Sequence, residues 1–179
     1  MWRFLEMTTE YLLNEQMEHV LSALTPSNRL VMRVCLHTGL RVGDVLALRT
    51  EQLLTPQFWI TEQKTGKRRR VNLTNELFEQ LRDAAGPEWV FTSRCDRTKH
   101  RTRQAVWTDV KRAAKAFRLE QNVGTHSARK VYAVDLMQKY GDIDRVRRAL
   151  NHSSESVTLL YAMADMRLRA KYRKKRRRP

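Results

Sequence analysis

Arg41, Lys64, His126, Arg129, His152 and Tyr161 are scattered over most of this 179-residue chain. Two guanidinium groups can clamp phosphate oxygens, imidazole and ammonium groups can move protons, and a phenol can act as a nucleophile. Together they are the side chains needed to break a phosphodiester bond without a metal. No single one of them establishes that chemistry. Their local sequences and their order decide it.

Thr38-Gly39-Leu40-Arg41-Val42-Gly43-Asp44 sets an arginine at a helix start directly after a helix stop. There it can grip two oxygens of a phosphate, or pair with Asp44 three residues on. Lys64 and Lys67 flank Thr65-Gly66 in a hairpin turn, where a lysine can reach a DNA groove or simply face water. Thr125-His126-Ser127-Ala128-Arg129 puts His126 and Arg129 on one face of a helical first turn, beside unpaired N–H groups that suit an anion. A solvated turn is the other reading. In Leu150-Asn151-His152-Ser153-Ser154, Asn151 occupies a helix-stop position, and Tyr161 follows on the next helix. Tyr161 also falls on that helix's apolar stripe, where a core role is open to it.

The elements that must position these groups are legible in the periodicity. Residues 11–24 read as a helix, and Pro26-Ser27-Asn28 starts a second that carries Leu30, Val31, Val34 and Cys35 inward and stops at Gly39. A short helix spans about 41–48. Phe58–Thr61 and Arg70–Leu73 form the arms of the hairpin. Helical spacing resumes at 75–84. Val106, Val110, Ala113, Ala114 and Phe117 mark a long helix capped by Thr102, and Thr125 caps another that runs to Gly141. Asp142 caps one with Ile143, Val146 and Leu150 inward, and Ser153 or Ser154 starts a last one. The expected fold class is mainly α with a small antiparallel β-sheet (α+β).

Composition narrows the partner. Thirty-five Lys+Arg against 19 Asp+Glu leave a net charge of +16. Nine of those cations crowd residues 167–178, and without them the remainder still carries about +7. Such a charge favours a polyanion, and nucleic acid first. Hydrophobic residues make up 41% and charged residues 30%, as in a folded domain. No apolar run approaches the roughly 18 residues of a membrane helix, and Glu6 interrupts any signal-like start, so a cytoplasmic protein is expected. Cys35 and Cys95 have no CxxC spacing, which argues against structural zinc. No carboxylate cluster suggests a two-metal site, so no metal and no cofactor are expected.

The order T-G-L-R-x-G-D, K-T-G-K, H-x-x-R, L-N-H-S-S and Y resembles the catalytic domain of tyrosine recombinases, the phage integrase family. The resemblance runs from about Tyr11 to Ala164. It implies the tyrosine recombinase catalytic-domain fold and a site-specific DNA recombinase for integration, excision or inversion. By it, Tyr161 attacks a DNA phosphate to form a 3′-phosphotyrosyl link, Arg41 and Arg129 clamp the non-bridging oxygens, and His152 donates to the same phosphate. His126 assists as acid/base, Lys64 protonates the departing 5′-oxygen, and Asp44 supports the site.

The resemblance also implies double-stranded DNA as partner, a homo-oligomer on DNA, tetrameric in the synapse, and an accessory DNA-bending protein. Asn151 departs from the usual glycine before the second histidine. Few residues precede the match, so either an excised catalytic domain or a short recombinase of the fimbrial-switch type, without an N-terminal core-binding domain, is expected. Residues 1–10 then form a leader, 11–166 the catalytic domain and 167–179 a basic tail. Lys67, Arg68, Arg69, Arg70, Lys99, Arg101 and Arg103 are the expected DNA contacts. A DNA-binding regulator with this fold but no strand exchange, a type IB topoisomerase-like enzyme and a basic RNA-binding protein are the alternatives.

Overall fold

The computed structural model describes residues 10–150. His152, Tyr161, the last expected helix and the basic tail lie outside the described residues. Seven helices and one hairpin follow in order: α1 (Asn14–Ala23), α2 (Pro26–Thr38), α3 (Val42–Leu46), β1 (Gln57–Thr61), β2 (Arg68–Asn72), α4 (Asn75–Ala84), α5 (Arg103–Ala116), α6 (Thr125–Tyr140) and α7 (Ile143–Ala149).

Helix α2 is the hub, packed against α1, α3, α4 and α6. Pro26 opens it at a position where a missing N–H is harmless, and Gly39 ends it in the left-handed region at φ 66°. The expected inward residues Leu30, Val31, Val34 and Cys35 are all buried in the main core. Burial pushes the Cys35 thiol up to about 12, so it behaves as a small apolar residue. Gly39 is doubly constrained. A Cβ there would stand 2.3 Å from the ring of Tyr132 on α6, in addition to the strain of the positive φ.

A carboxylate fastens the far side of α2. Asp109 of α5 accepts from the N–H of Thr25 (2.9 Å), the Thr25 hydroxyl (3.0 Å) and the Asn28 amide (2.8 Å). Burial alone would raise its pKa, but these bonds and that from Arg112 outweigh burial and bring it down to about 2. Asp109 thereby joins the start of α2 to the middle of α5.

The strands pair antiparallel with Phe58 opposite Val71 and Ile60 opposite Arg69. Alternation turns Phe58, Ile60 and Val71 inward and leaves Trp59, Arg68 and Arg70 exposed. Thr74, Thr102 and Asp142 cap α4, α5 and α7 through side-chain oxygens.

Three expectations shift. Helix α1 begins at Asn14 and not at residue 11, because the chain before it is held extended, with the Glu10 N–H bonded to the Asn122 carbonyl (2.8 Å). Phe117 is outside the core at 41% exposure, since α5 ends at Ala116 and the ring stacks on His19 instead. Thr125 is the first residue of α6 and not its cap. Gly124 holds the cap position, and its N–H is taken by Ser127 Oγ (3.2 Å).

Helix α7 is set apart. Val146 and Leu150 form a separate small cluster with Ala133, flanked by Tyr132, Leu136 and Met137 of α6. Among the described helices, α7 packs chiefly on α6.

Candidate nucleic-acid cleavage site

A cleft of about 900 Å³ opens where α3, the hairpin turn and the starts of α5 and α6 meet. Arg41, Lys64 and His126 line it together with Asp44, Gln63, Arg103, Gln104 and Trp107. Three of the chemistry-bearing residues, separated by up to 85 positions in sequence, thus share one concavity. Each arrives by a different local device. Arg41 is the N-cap residue of α3, fixed by the stop at Gly39. Lys64 stands on the exposed hairpin turn, and His126 is exposed in the first turn of α6.

Arg129 is placed otherwise. The single face expected for it and His126 is split, and the alternative of a solvated turn does not hold for it, because three residues along a helix offset two side chains by about 60°. That offset turns Arg129 inward, to 5% exposure, while His126 stays in the cleft. Its guanidinium donates to the Gly39 carbonyl, beside Arg41, and to the Leu150 carbonyl at 2.5 Å. Arg129 therefore ties the α2–α3 corner to the end of α7, directly before Asn151 and His152.

Asp44 and Glu62 supply the negative charge. Asp44 is buried and accepts from the Gln63 N–H (2.9 Å), with Arg41 4.0 Å away. The stronger partner of Arg41 is Glu62, at 2.7 Å. Glu62 has no solvent exposure and also meets Arg69 (3.6 Å) and the Thr65 hydroxyl (3.0 Å). Glu62 was not among the expected site residues, although the period-2 alternation Phe58, Ile60, Glu62 extends one step past β1 and marks it as inward.

His126 has its pKa lowered, first by desolvation and then by Arg129, Arg41, Lys130 and Lys64 around it. At neutral pH it is an uncharged imidazole among cations, suited to accept or relay a proton.

The expected DNA contacts divide. Lys67, Arg68 and Arg70 are exposed on the hairpin, with the Arg68 guanidinium over the Trp59 ring. Arg69 is turned inward by strand alternation and engages Glu62, the Thr38 carbonyl and Tyr132. It holds the site together instead of facing outward. Arg103 lines the cleft, packed over Gly43. Lys99 is exposed and paired with Asp96 (2.9 Å), and Arg101 is half-buried, so neither belongs to the cleft wall. Trp107 and Gln104, which do belong to it, lie on the outward face of α5, a face the core periodicity defines only by exclusion. No group of three metal-ligating side chains occurs among the described residues.

The family model for the phage integrase family matches residues 10–167, and the chain belongs to that family. The probable integrase/recombinase YoeC of Bacillus subtilis (strain 168) is 33% identical over 135 residues, which cover 73% of this chain and 74% of that protein. The chain spans about half the length of several other curated relatives it matches. Among solved structures, the catalytic domain of bacteriophage HP1 integrase superposes with a TM-score of 0.67 at 23% identity, covering 88% of this chain and 89% of that one. A lambda integrase tetramer bound to a Holliday junction superposes with a TM-score of 0.70 at 18% identity, covering 86% of this chain and 47% of that one. These likenesses are of fold, and they bear out the mainly helical architecture with its small sheet.

Proposed function

We propose that this protein is a site-specific DNA recombinase that breaks and rejoins DNA through a covalent tyrosyl intermediate. The observation that carries the reading is the shared cleft of Arg41, Lys64 and His126, in a chain of the phage integrase family.

In this reading the scissile phosphate sits in that cleft. Arg41 from the cleft wall, and Arg129 from its buried place beside it, stabilise charge on the non-bridging oxygens as the phosphorus passes through its crowded transition state. Tyr161 attacks the phosphorus, the phosphotyrosyl bond forms as the bond to the 5′-oxygen breaks, and Lys64 delivers the proton that oxygen takes. His126 assists proton transfer and His152 donates to the phosphate. Asp44 supports the arrangement. Bond exchange conserves the phosphodiester, so no ATP is consumed. Rejoining is the reverse displacement by a 5′-hydroxyl.

The body, residues 11–166, acts as the catalytic domain, residues 1–10 as a leader and residues 167–179 as a basic tail on phosphate. Lys67, Arg68 and Arg70 approach DNA from the hairpin and Arg103 from α5. Strand exchange requires several protomers on DNA, and the tetrameric assembly of lambda integrase supports a tetramer here. An accessory DNA-bending protein fits such a synapse. The place of action is the cytoplasm, on the nucleoid. Among the described residues no helix is long and apolar enough to cross a membrane.

Incubation with suicide DNA carrying a nick beside the cleavage position tests the reading. The parent protein is expected to accumulate a covalent protein–DNA band, and Tyr161→Phe to bind the same DNA without forming it. Persistence of the band in Tyr161→Phe would remove Tyr161 as the nucleophile.

A further inference from the structure

We propose that Glu62 is a positioning residue for the cleft, holding the Arg41 fork and the Lys64 hairpin in one geometry; this rests on the reading of Arg41 as a phosphate clamp. Burying a carboxylate is unfavourable by several kcal/mol unless charge and hydrogen bonds offset it. Glu62 is fully buried and is offset from three directions, by Arg41, Arg69 and Thr65. Each partner comes from a different part of the site. Arg41 starts α3, Arg69 lies on β2, and Thr65 sits in the turn that carries Lys64.

One carboxylate thereby fixes the clamp relative to the hairpin. Its neighbour reinforces the joint from the other side, since the Gln63 N–H is bonded to Asp44 of α3. Residues 62 and 63 fasten the base of the turn to the start of α3, and Lys64 is the next residue. The bond to Glu62 is also the one side-chain hydrogen bond of Arg41 among the described residues. Most of its five N–H donors are left for another anion. A guanidinium held at one nitrogen by a rigid carboxylate presents the rest of its fork in a set orientation, which is what a clamp on two phosphate oxygens needs. Glutamine at this position would keep the shape and lose the charge that aligns Arg41.

The test is a double-mutant cycle read as the single-turnover rate of covalent complex formation, at saturating suicide DNA and per folded molecule. Glu62→Gln is expected to slow the parent roughly ten- to a hundred-fold, and to slow Arg41→Ala by less than about three-fold, the non-additivity of residues acting as one unit. Equal slowing in both backgrounds would assign Glu62 to fold maintenance and overturn the proposal. Thr65→Val provides the same reading from an exposed position if Glu62→Gln does not fold. It removes the hydroxyl on Glu62, and a slowing of roughly three-fold is expected only where Arg41 is present. No slowing, or the same slowing without Arg41, would again overturn the proposal. Full-rate cleavage by Arg41→Ala itself would instead refute the phosphate-clamp reading, a result distinct from either outcome for Glu62.

Discussion

Asp109 and Glu62 are both buried carboxylates ringed by donors, yet they differ in what surrounds them. Asp109 is satisfied mainly by neutral groups, a backbone N–H, a hydroxyl and an amide, with Arg112 reaching in from the surface. It joins two helices at a face away from the cleft. Glu62 is faced by two guanidinium groups and a hydroxyl, and one of those guanidiniums lines the cleft. Neutral donors fill a carboxylate's capacity and end there. Cationic donors remain able to hold a second anion, so the Glu62 cluster can both fold and bind.

The sharpest separation between the two clusters is expected from removing Arg41. Arg41→Ala should slow covalent complex formation by roughly 10²–10³-fold, the scale of losing one charge-stabilising donor. Its thermal melt should fall as well, because Glu62 is left buried with Arg69 at 3.6 Å and the Thr65 hydroxyl, so the rate is read per folded molecule. A variant that melts early yet cleaves normally when folded would reverse the contrast.

Asp109→Ala should act on stability alone. Orphaning the Thr25 N–H and the Asn28 amide is expected to lower unfolding free energy by about 2–3 kcal/mol in urea titration, with the cleavage rate per folded molecule unchanged. A parallel fall in rate would show that the two clusters communicate. The pH dependence follows from the depressed pKa. Asp109 binds its proton less readily in the folded chain than in the unfolded one. Its contribution to stability is therefore present above the ordinary carboxylate value and is lost as pH falls toward about 2. The stability difference between parent and Asp109→Asn should shrink over that window.

The smallest expected signal comes from His126. Its lowered pKa means that the native state resists protonation, so acidification below the ordinary imidazole value should erode stability until the lowered native value is passed. A bound phosphate would relieve the cationic surroundings and raise the pKa. Calorimetric titration with DNA near pH 6, in buffers of different ionisation enthalpy, should show uptake of a fraction of a proton, lost in His126→Gln. No uptake would place the phosphate away from His126.

Much of this was legible in the residues. Pro26, Gly39, Thr102 and Asp142 announce helix ends through simple steric and hydrogen-bonding rules, and the apolar spacing of α2 fixes its buried face. The hairpin follows from β-prone arms around Thr65-Gly66. The inward turn of Arg129 was not legible, because spacing tells which residues share a helix face and not which neighbouring element covers part of it. Arg69 and Glu62 were hidden for another reason. Their charge suggests a solvated strand, and only the alternation of Phe58, Ile60 and Val71 beside them shows that they point inward. Phe117 misled because helical spacing does not reveal that the helix stops one residue short of it.

The slender attachment of α7 has a mechanical consequence. Among the described residues it is held by a cluster of three apolar residues with their flanking neighbours on α6, and by an arginine gripping the Leu150 carbonyl. Val146 and Leu150 belong to that small cluster and not to the principal core. Through Arg129 the last described turn is thus wired to the Gly39 corner, so a shift of α7 would be felt two residues from Arg41.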